Sequence, residues 1–209
     1  MNEEIRGFVR LDKVIPDAVF DIRYYSSFNF TGEKIDAYEA PFAYLTLQAA
    51  EKLKQASEEL KKQGFNIKIF DGYRPQRAVD HFKRWAEDLS STEMKAEFYP
   101  HVDKKDLIKN GYIAEKSSHS RGSAVDLTLV YINSGEEVDM GGTFDFFGEI
   151  SHSERTEGLT EEQIKNRRIL RKAMTDNGFI PLKEEWWHFC LENEPYPETY
   201  FDFPVTEAL

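Results

Sequence analysis

The sequence predicts an α+β fold: a single domain with a central, mainly antiparallel sheet flanked by helices. Two long stretches, residues 41–64 and 160–177, carry the three-to-four spacing of apolar residues that gives a helix one buried face. Shorter segments at 65–70, 124–132, 179–182 and 186–191 are apolar or alternating and of strand length. The helical and strand-like segments come in blocks, without the regular alternation that a doubly wound parallel sheet requires. A chain of 209 residues can bury a sizeable core as one domain, and no linker, repeat or low-complexity tract divides residues 1–209.

The clearest helix is PFAYLTLQAAEKLKQASEELKKQG, residues 41–64. Pro41 suits a first helical position and Gly64 a stop just past the end. Phe42, Leu45, Ala49, Leu53, Ala56 and Leu60 fall on one face. FNIKIF alternates through Phe70 and reads as a half-buried strand, ending at a turn that Gly72 and Pro75 shape. Residues 76–89 read as a second helix. AVDLTLVYI, from Ala124, reads as a strand with Asp126 and Thr128 on one face and Val125, Leu127 and Leu129 on the other. In the last helix Thr160 and Gln163 have capping-box spacing, and Gly178 follows its end. FIPL and WWHFCL read as two late strands, and the tail EPYPETYFDFPV is expected to pack across the surface.

A hydrophobic content of 40%, with 14% aromatic residues, excludes wholesale disorder. The net charge of −11 leaves no electrostatic footprint for nucleic acid or an anionic membrane surface. Cys190 is the single cysteine, so no internal disulfide can form, which fits a reducing compartment. The opening MNEEIRGFVRLDKVIPDAVF lacks the basic-then-apolar order of a secretory leader. No apolar run reaches the roughly 18 residues of a membrane span. The expectation is a soluble, cytoplasmic protein whose partner is a small molecule, with no nucleic acid and no membrane.

Three segments carry chemistry. In SSHSRGSAVD, residues 117–126, His119 lies in a loop and Asp126 on a strand. Imidazole and carboxylate are zinc-ligand types, and Gly122 among small residues lets the chain fold back so that both converge. A loop that merely enters a strand explains the same pair. In EEWWHF, residues 184–189, Glu185 and His188 are three apart. An ideal strand sends such positions to opposite faces, so they meet only across a turn or bulge. The two tryptophans would make a low-dielectric wall beside them. In DGYRPQRAV, residues 71–79, Arg74 stands between a strand and a helix. There its planar fork can reach an anion in a cleft or pair with Asp71 at the surface.

Taken together and in this order, the segments resemble the zinc D,D-peptidases. They are most similar to the D-alanyl-D-alanine dipeptidases of the M15 peptidases associated with vancomycin resistance, the VanX type. SSHSRGSAVD matches the pattern S-x-H-x-x-G-x-A-x-D, and EWWH matches E-x-W-H. FTG at 30–32, FDF at 144–146, NRR at 166–168 and EPYP with YFDFPV extend the likeness over nearly the whole chain. YYSSFNFTG and residues 151–159 match less well, and those loops could alter substrate preference.

The resemblance implies a hedgehog/D,D-peptidase-like fold and one zinc ion per chain, held by His119, Asp126 and His188. It makes Glu185 the general base and Arg74 the stabiliser of the oxyanion. Asp145 would bind the substrate amine, although a turn or cap role is the plainer alternative for it. Ser117 would lie near the substrate carboxylate or beside a ligand, and Tyr38 would line a small pocket. The implied reaction is hydrolysis of D-Ala-D-Ala, serving glycopeptide resistance or dipeptide and cell-wall recycling. Cys190, two residues after His188, would share its strand face near the metal, against the plainer reading of a buried structural thiol. His81, His101 and His152 have no ligand-like surroundings. Two rivals share the fold: a zinc peptidase for longer or L,D-linked peptides, and a binding module like the Hedgehog signalling domains. Asp145 argues against the first, and the presence of both Glu185 and Arg74 against the second.

Overall fold

In the computed structural model, which describes residues 7–207, the chain opens with β1 (Phe8–Arg10), α1 (Leu11–Val14), β2 (Val19–Phe20) and β3 (Tyr44–Thr46). It continues through α2 (Leu47–Lys61), β4 (Phe65–Asp71), α3 (Gln76–Glu87), α4 (Lys95–Phe98) and β5 (Ala124–Tyr131). It closes with α5 (Glu161–Asp176), β6 (Phe179–Pro181) and β7 (His188–Leu191). The first six residues, read above for a leader, and the last two of the single-domain span lie outside the described residues.

The main sheet has the order β2-β4-β5-β7-β6. Only β2 and β4 run parallel; the other neighbours are antiparallel, as the α+β expectation requires. β5 is central and buried along its length except at Tyr131, because elements cover both faces. The register places Asp71 of β4 opposite Asp126 of β5, and Asp126 opposite His188 of β7. Three adjacent strands thus bring polar side chains to one level of the sheet. The β4–β5 ladder is irregular between Ile69 and Asp71, just where that row begins. Among the described residues no helix is long and apolar enough to cross a membrane.

Two expectations need correction. The helix expected from Pro41 starts at Leu47, because Tyr44, Leu45 and Thr46 pair with Arg10, Val9 and Phe8 of β1 instead. A partner strand far away in sequence outbids local helical periodicity. Phe42 and Leu45 therefore leave the helical face, which is built from Ala49, Leu53, Ala56 and Leu60 with Ala50 and Ser57. The C-terminal tail also enters the core. Phe203 and Val205 are buried, Phe203 stacks on Tyr73 with ring centroids 4.1 Å apart, and Val205 bridges Tyr38. Its aromatic content is what makes that burial favourable.

The capping box of α5 forms as expected. Thr160 Oγ1 accepts from the Gln163 N–H, and Gln163 Oε1 accepts from the Thr160 N–H. Thr160→Ala is expected to cost about 1 kcal/mol and to lower the melting temperature by about 2–4 °C. Calorimetry checks this; an unchanged melting curve would mean that α5 is held by packing alone.

Candidate active site

His119 sits on a one-turn 3-10 helix, Ser118–Arg121, whose start is capped by Ser117 Oγ accepting from the His119 N–H at 3.2 Å. Gly122 ends the turn at φ +81°. A Cβ there would stand 2.2 Å from a ring carbon of Phe8. Only glycine turns the chain into β5 at this point, delivering Asp126 beside His119. Gly122→Ala is expected to lower stability by about 1–3 kcal/mol through overpacking, with the left-handed backbone adding to the cost. The denaturation midpoint reads this, and a wild-type midpoint would contradict the tight approach.

His119 Nδ1 lies 2.7 Å from the carbonyl oxygen of Gly72, a group that can only accept. The ring therefore carries its proton on Nδ1 and turns the Nε2 lone pair inward. His119 Nε2 lies 3.0 Å from His188 Nδ1 and 3.2 Å from Asp126 Oδ1, and the last two are 3.0 Å apart. Ser118 Oγ, 3.1 Å from His188 Nε2, can accept that nitrogen's proton and leave Nδ1 facing the other two donors. A tetrahedral zinc with bonds of about 2.0–2.1 Å spaces its ligands roughly 3.3–3.4 Å apart, close to this triangle. All three residues are buried, and their ligand atoms lie within 4.8 Å of one another. Two imidazoles and a carboxylate fit a divalent metal and leave a position for water. Burial, joined by the Arg74 charge, outweighs Asp126 and lowers the pKa of His119, favouring the neutral ring. Burial works against ionised Asp126, but the two histidines outweigh it and hold the carboxyl far below its usual range.

Arg74 leaves the end of β4, and its Nε donates to Asp71 Oδ2 at 2.9 Å while Nη2 lies 3.5 Å from Asp126 Oδ2. Its guanidinium lies over the rings of Tyr24 and Phe82. Arg74 thus pairs with Asp71 beneath the surface and also lines the cleft.

The turn needed between Glu185 and His188 is present, with the His188 N–H donating to the Glu185 carbonyl at 3.4 Å. Glu185 Oε2 comes within 3.8 Å of His188 Nδ1, and the side chain keeps 36% of its surface exposed. Enclosure by the cleft walls, with the Asp126 and Glu184 charges, raises the pKa of Glu185 against the opposing pull of His188 and Arg74.

Asp145 adopts φ +61°, a conformation that aspartate tolerates better than most residues. Its buried carboxylate accepts from the Tyr24 hydroxyl at 2.8 Å. Among the described residues no cation lies within ion-pair distance of it. Burial, then the charge of Asp126, raises its pKa well above the ordinary value. A cationic ligand group would relieve this cost.

Arg74, Ser117, His119, Asp126, Asp145, Glu185 and His188 all line one cleft of about 180 Å³. That is below the roughly 300–1,000 Å³ of pockets for drug-sized ligands. Its apolar wall includes Tyr24, Phe30, Phe82, Ile113 and Phe147. Tyr38 does not line it. Packed against Val205, that residue points its hydroxyl at Asp71 Oδ1, 2.7 Å away, one layer behind Arg74. The tyrosines that line the cleft are Tyr24 and Tyr112, and nothing in RYYSSF marks Tyr24 for that place in the sequence. Cys190 does not line the cleft either. Its register partner is Ala124, its Sγ faces Arg121 and Glu194, and burial raises its thiol pKa to about 11.

Comparison with known proteins adds an independent finding. The Peptidase_M15 family, described as D-ala-D-ala dipeptidase, matches residues 4–206. A D-alanyl-D-alanine dipeptidase of Enterococcus faecium is 44% identical over 199 residues, covering 95% of this chain and 98% of that protein. One from Enterococcus faecalis is 42% identical over 200 residues, covering 96% and 98%. One from Streptomyces coelicolor is 39% identical over 198 residues, covering 95% and 98%.

Proposed function

This chain belongs to the M15 peptidases, in the D-ala-D-ala dipeptidase family, and we propose that it hydrolyses free D-Ala-D-Ala to two molecules of D-alanine with one zinc ion per chain. The observation that carries the reading is the meeting, in one small cleft, of the three-donor set with a partly exposed carboxylate outside it, Glu185, and a buried one, Asp145, that has no cation within ion-pair distance among the described residues.

His119, Asp126 and His188 would hold the ion, which when bound supplies Lewis acidity, lowering the pKa of water toward neutrality and polarising the scissile carbonyl. Glu185 takes a proton from the attacking water and passes it to the leaving amine. Its raised pKa strengthens it as a base, and its exposure lets water reach it. Arg74 donates to the oxygen that gains charge as the carbonyl becomes tetrahedral. Asp71 fixes the guanidinium from behind, and Tyr38 fixes Asp71, so Tyr38 acts through that chain rather than on substrate. Asp145 pairs with the substrate ammonium, oriented by Tyr24. Ser117, at the cleft edge, caps the turn that presents His119, and on this reading it also stands near the substrate carboxylate. A cleft of this volume takes two alanines and leaves little room for a longer peptide. Consumption of D-Ala-D-Ala would withhold it from cell-wall precursors, as in glycopeptide resistance, or recycle it; a cytoplasmic location suits both.

Asp145→Asn is expected to raise KM for D-Ala-D-Ala by about 10- to 100-fold, the scale of one hydrogen-bonded charge contact, with bound metal unchanged. Steady-state kinetics with metal analysis reads both. A wild-type KM would remove Asp145 from substrate binding. The activity itself is tested by zinc-dependent release of D-alanine from the free dipeptide.

A further inference from the structure

Arg167 is a cation inside the protein, 5% exposed on the inward face of α5. Among the described residues no carboxylate lies within ion-pair distance of it. Its donors meet backbone carbonyls instead: Nε to Met140 at 2.6 Å, Nη1 to His152 at 3.2 Å and Nη2 to Ile150 at 2.9 Å. The guanidinium also lies over the Trp186 ring, 5.5 Å from its centroid. Burial lowers its pKa to about 10, opposed by Asp139, so it stays charged at neutral pH. A buried charge without a counter-ion is costly, and a neutral residue would avoid that cost. What arginine supplies here is a rigid fork able to hold several separate acceptors at once.

Those acceptors are the two limbs of one loop. Met140 is on the outgoing limb, Ile150 and His152 on the returning one, and Asp145 lies between them. Neighbours on the same helix face reinforce the first limb: Asn166 Nδ2 donates to the Asp139 carbonyl at 2.9 Å and Gln163 Nε2 to its carboxylate at 2.8 Å. The second limb is tied to the turn that carries Glu185, because the Trp186 N–H donates to the Ser151 carbonyl at 2.8 Å. Arg167 therefore touches the loop of Asp145 and the residue that follows Glu185, but neither carboxylate.

We propose that Arg167 is a positioning residue that fixes the spacing between Asp145, which receives the substrate amine, and the base Glu185. The inference rests on the dipeptidase reading for the roles of those two groups; the clamp itself stands on the contacts just described. It accounts for how two carboxylates from distant parts of the chain are held in one cleft.

The test uses the full-length, zinc-loaded protein with Arg167→Lys and Arg167→Gln. Lysine keeps the charge and stem but cannot span three carbonyls, and it keeps the test decidable if the glutamine variant does not fold. Amide hydrogen exchange is followed at residues 139–152 and 184–188, together with kcat and KM for D-Ala-D-Ala. The expected result is faster exchange in both segments together, with β4 and β5 as protected as in wild type. KM rises at least about tenfold, the scale of one displaced charge contact, and kcat falls by a smaller factor. Adding Asp145→Asn to Arg167→Lys then changes KM little further, because both act on the same contact. A merely structural role would scale kcat with the folded fraction and leave KM alone. Unchanged KM in both variants, or loosening of one segment without the other, overturns the inference. If wild-type protein does not cleave D-Ala-D-Ala, the substrate reading falls, and the paired exchange of the two segments still decides whether Arg167 joins them.

Discussion

Replacing Glu185 with alanine is expected to lower turnover of D-Ala-D-Ala by about 10²–10⁴-fold or more while the protein keeps its metal. The side chain lies 3.8 Å from His188 Nδ1 and outside the triangle of His119, Asp126 and His188, so its removal deletes no ligand. On the proposed reading, what it deletes is the group that accepts a proton from water and delivers it to the leaving amine. KM should change little, because neither the ammonium contact nor the ligand set is touched. Kinetics and metal analysis on the same sample separate the outcomes. Near-normal turnover would show that another group is the base. Loss of metal with activity would make Glu185 a ligand.

The second large effect is expected at Arg74. Arg74→Ala should reduce kcat by about 10²–10³-fold, the usual scale for one oxyanion donor, with a smaller rise in KM. The contact strengthens as charge moves onto the carbonyl oxygen, so it belongs to the transition state. Stability should suffer too, by about 3–5 kcal/mol, because Asp71 and Asp126 would stay buried without their guanidinium. Arg74→Lys separates the two effects. It keeps a positive charge near both aspartates, but a point charge cannot bond Asp71 and face the oxyanion through one planar fork. A folded lysine variant with a large kcat defect supports the assignment. A pure KM effect would place Arg74 in ground-state binding.

Much of this site can be read from the sequence, for a physical reason. SSHSRGSAVD is short and its glycine permits a reversal, so the sequence allows His119 and Asp126 to converge, and the turn at Gly122 leading into β5 is what brings them together. EWWH is less legible, since its three-residue spacing brings Glu185 to His188 only across the turn that the structure supplies. Tyr38, expected at the pocket, stands behind it, and Tyr24, for which the sequence suggests no role, lines it, because their directions depend on packing that local sequence does not encode. Tyr38 is turned inward by the C-terminal tail at Val205, and Tyr24 reaches Asp145 across 121 positions of chain. The early start assigned to α2 failed likewise, because β1 claims residues 44–46 for a ladder that helical periodicity cannot foresee.

Release of D-alanine decides whether this protein hydrolyses the free dipeptide. Protein stripped of metal and then restored with zinc is mixed separately with D-Ala-D-Ala, L-Ala-L-Ala and N-acetyl-D-Ala-D-Ala. The expected result is zinc-dependent cleavage of the free D,D-dipeptide alone, because acetylation removes the ammonium that Asp145 is proposed to receive. Cleavage of the acetylated peptide would contradict that role and point to a longer natural substrate. Absence of cleavage by zinc-loaded protein would contradict the hydrolytic reading altogether.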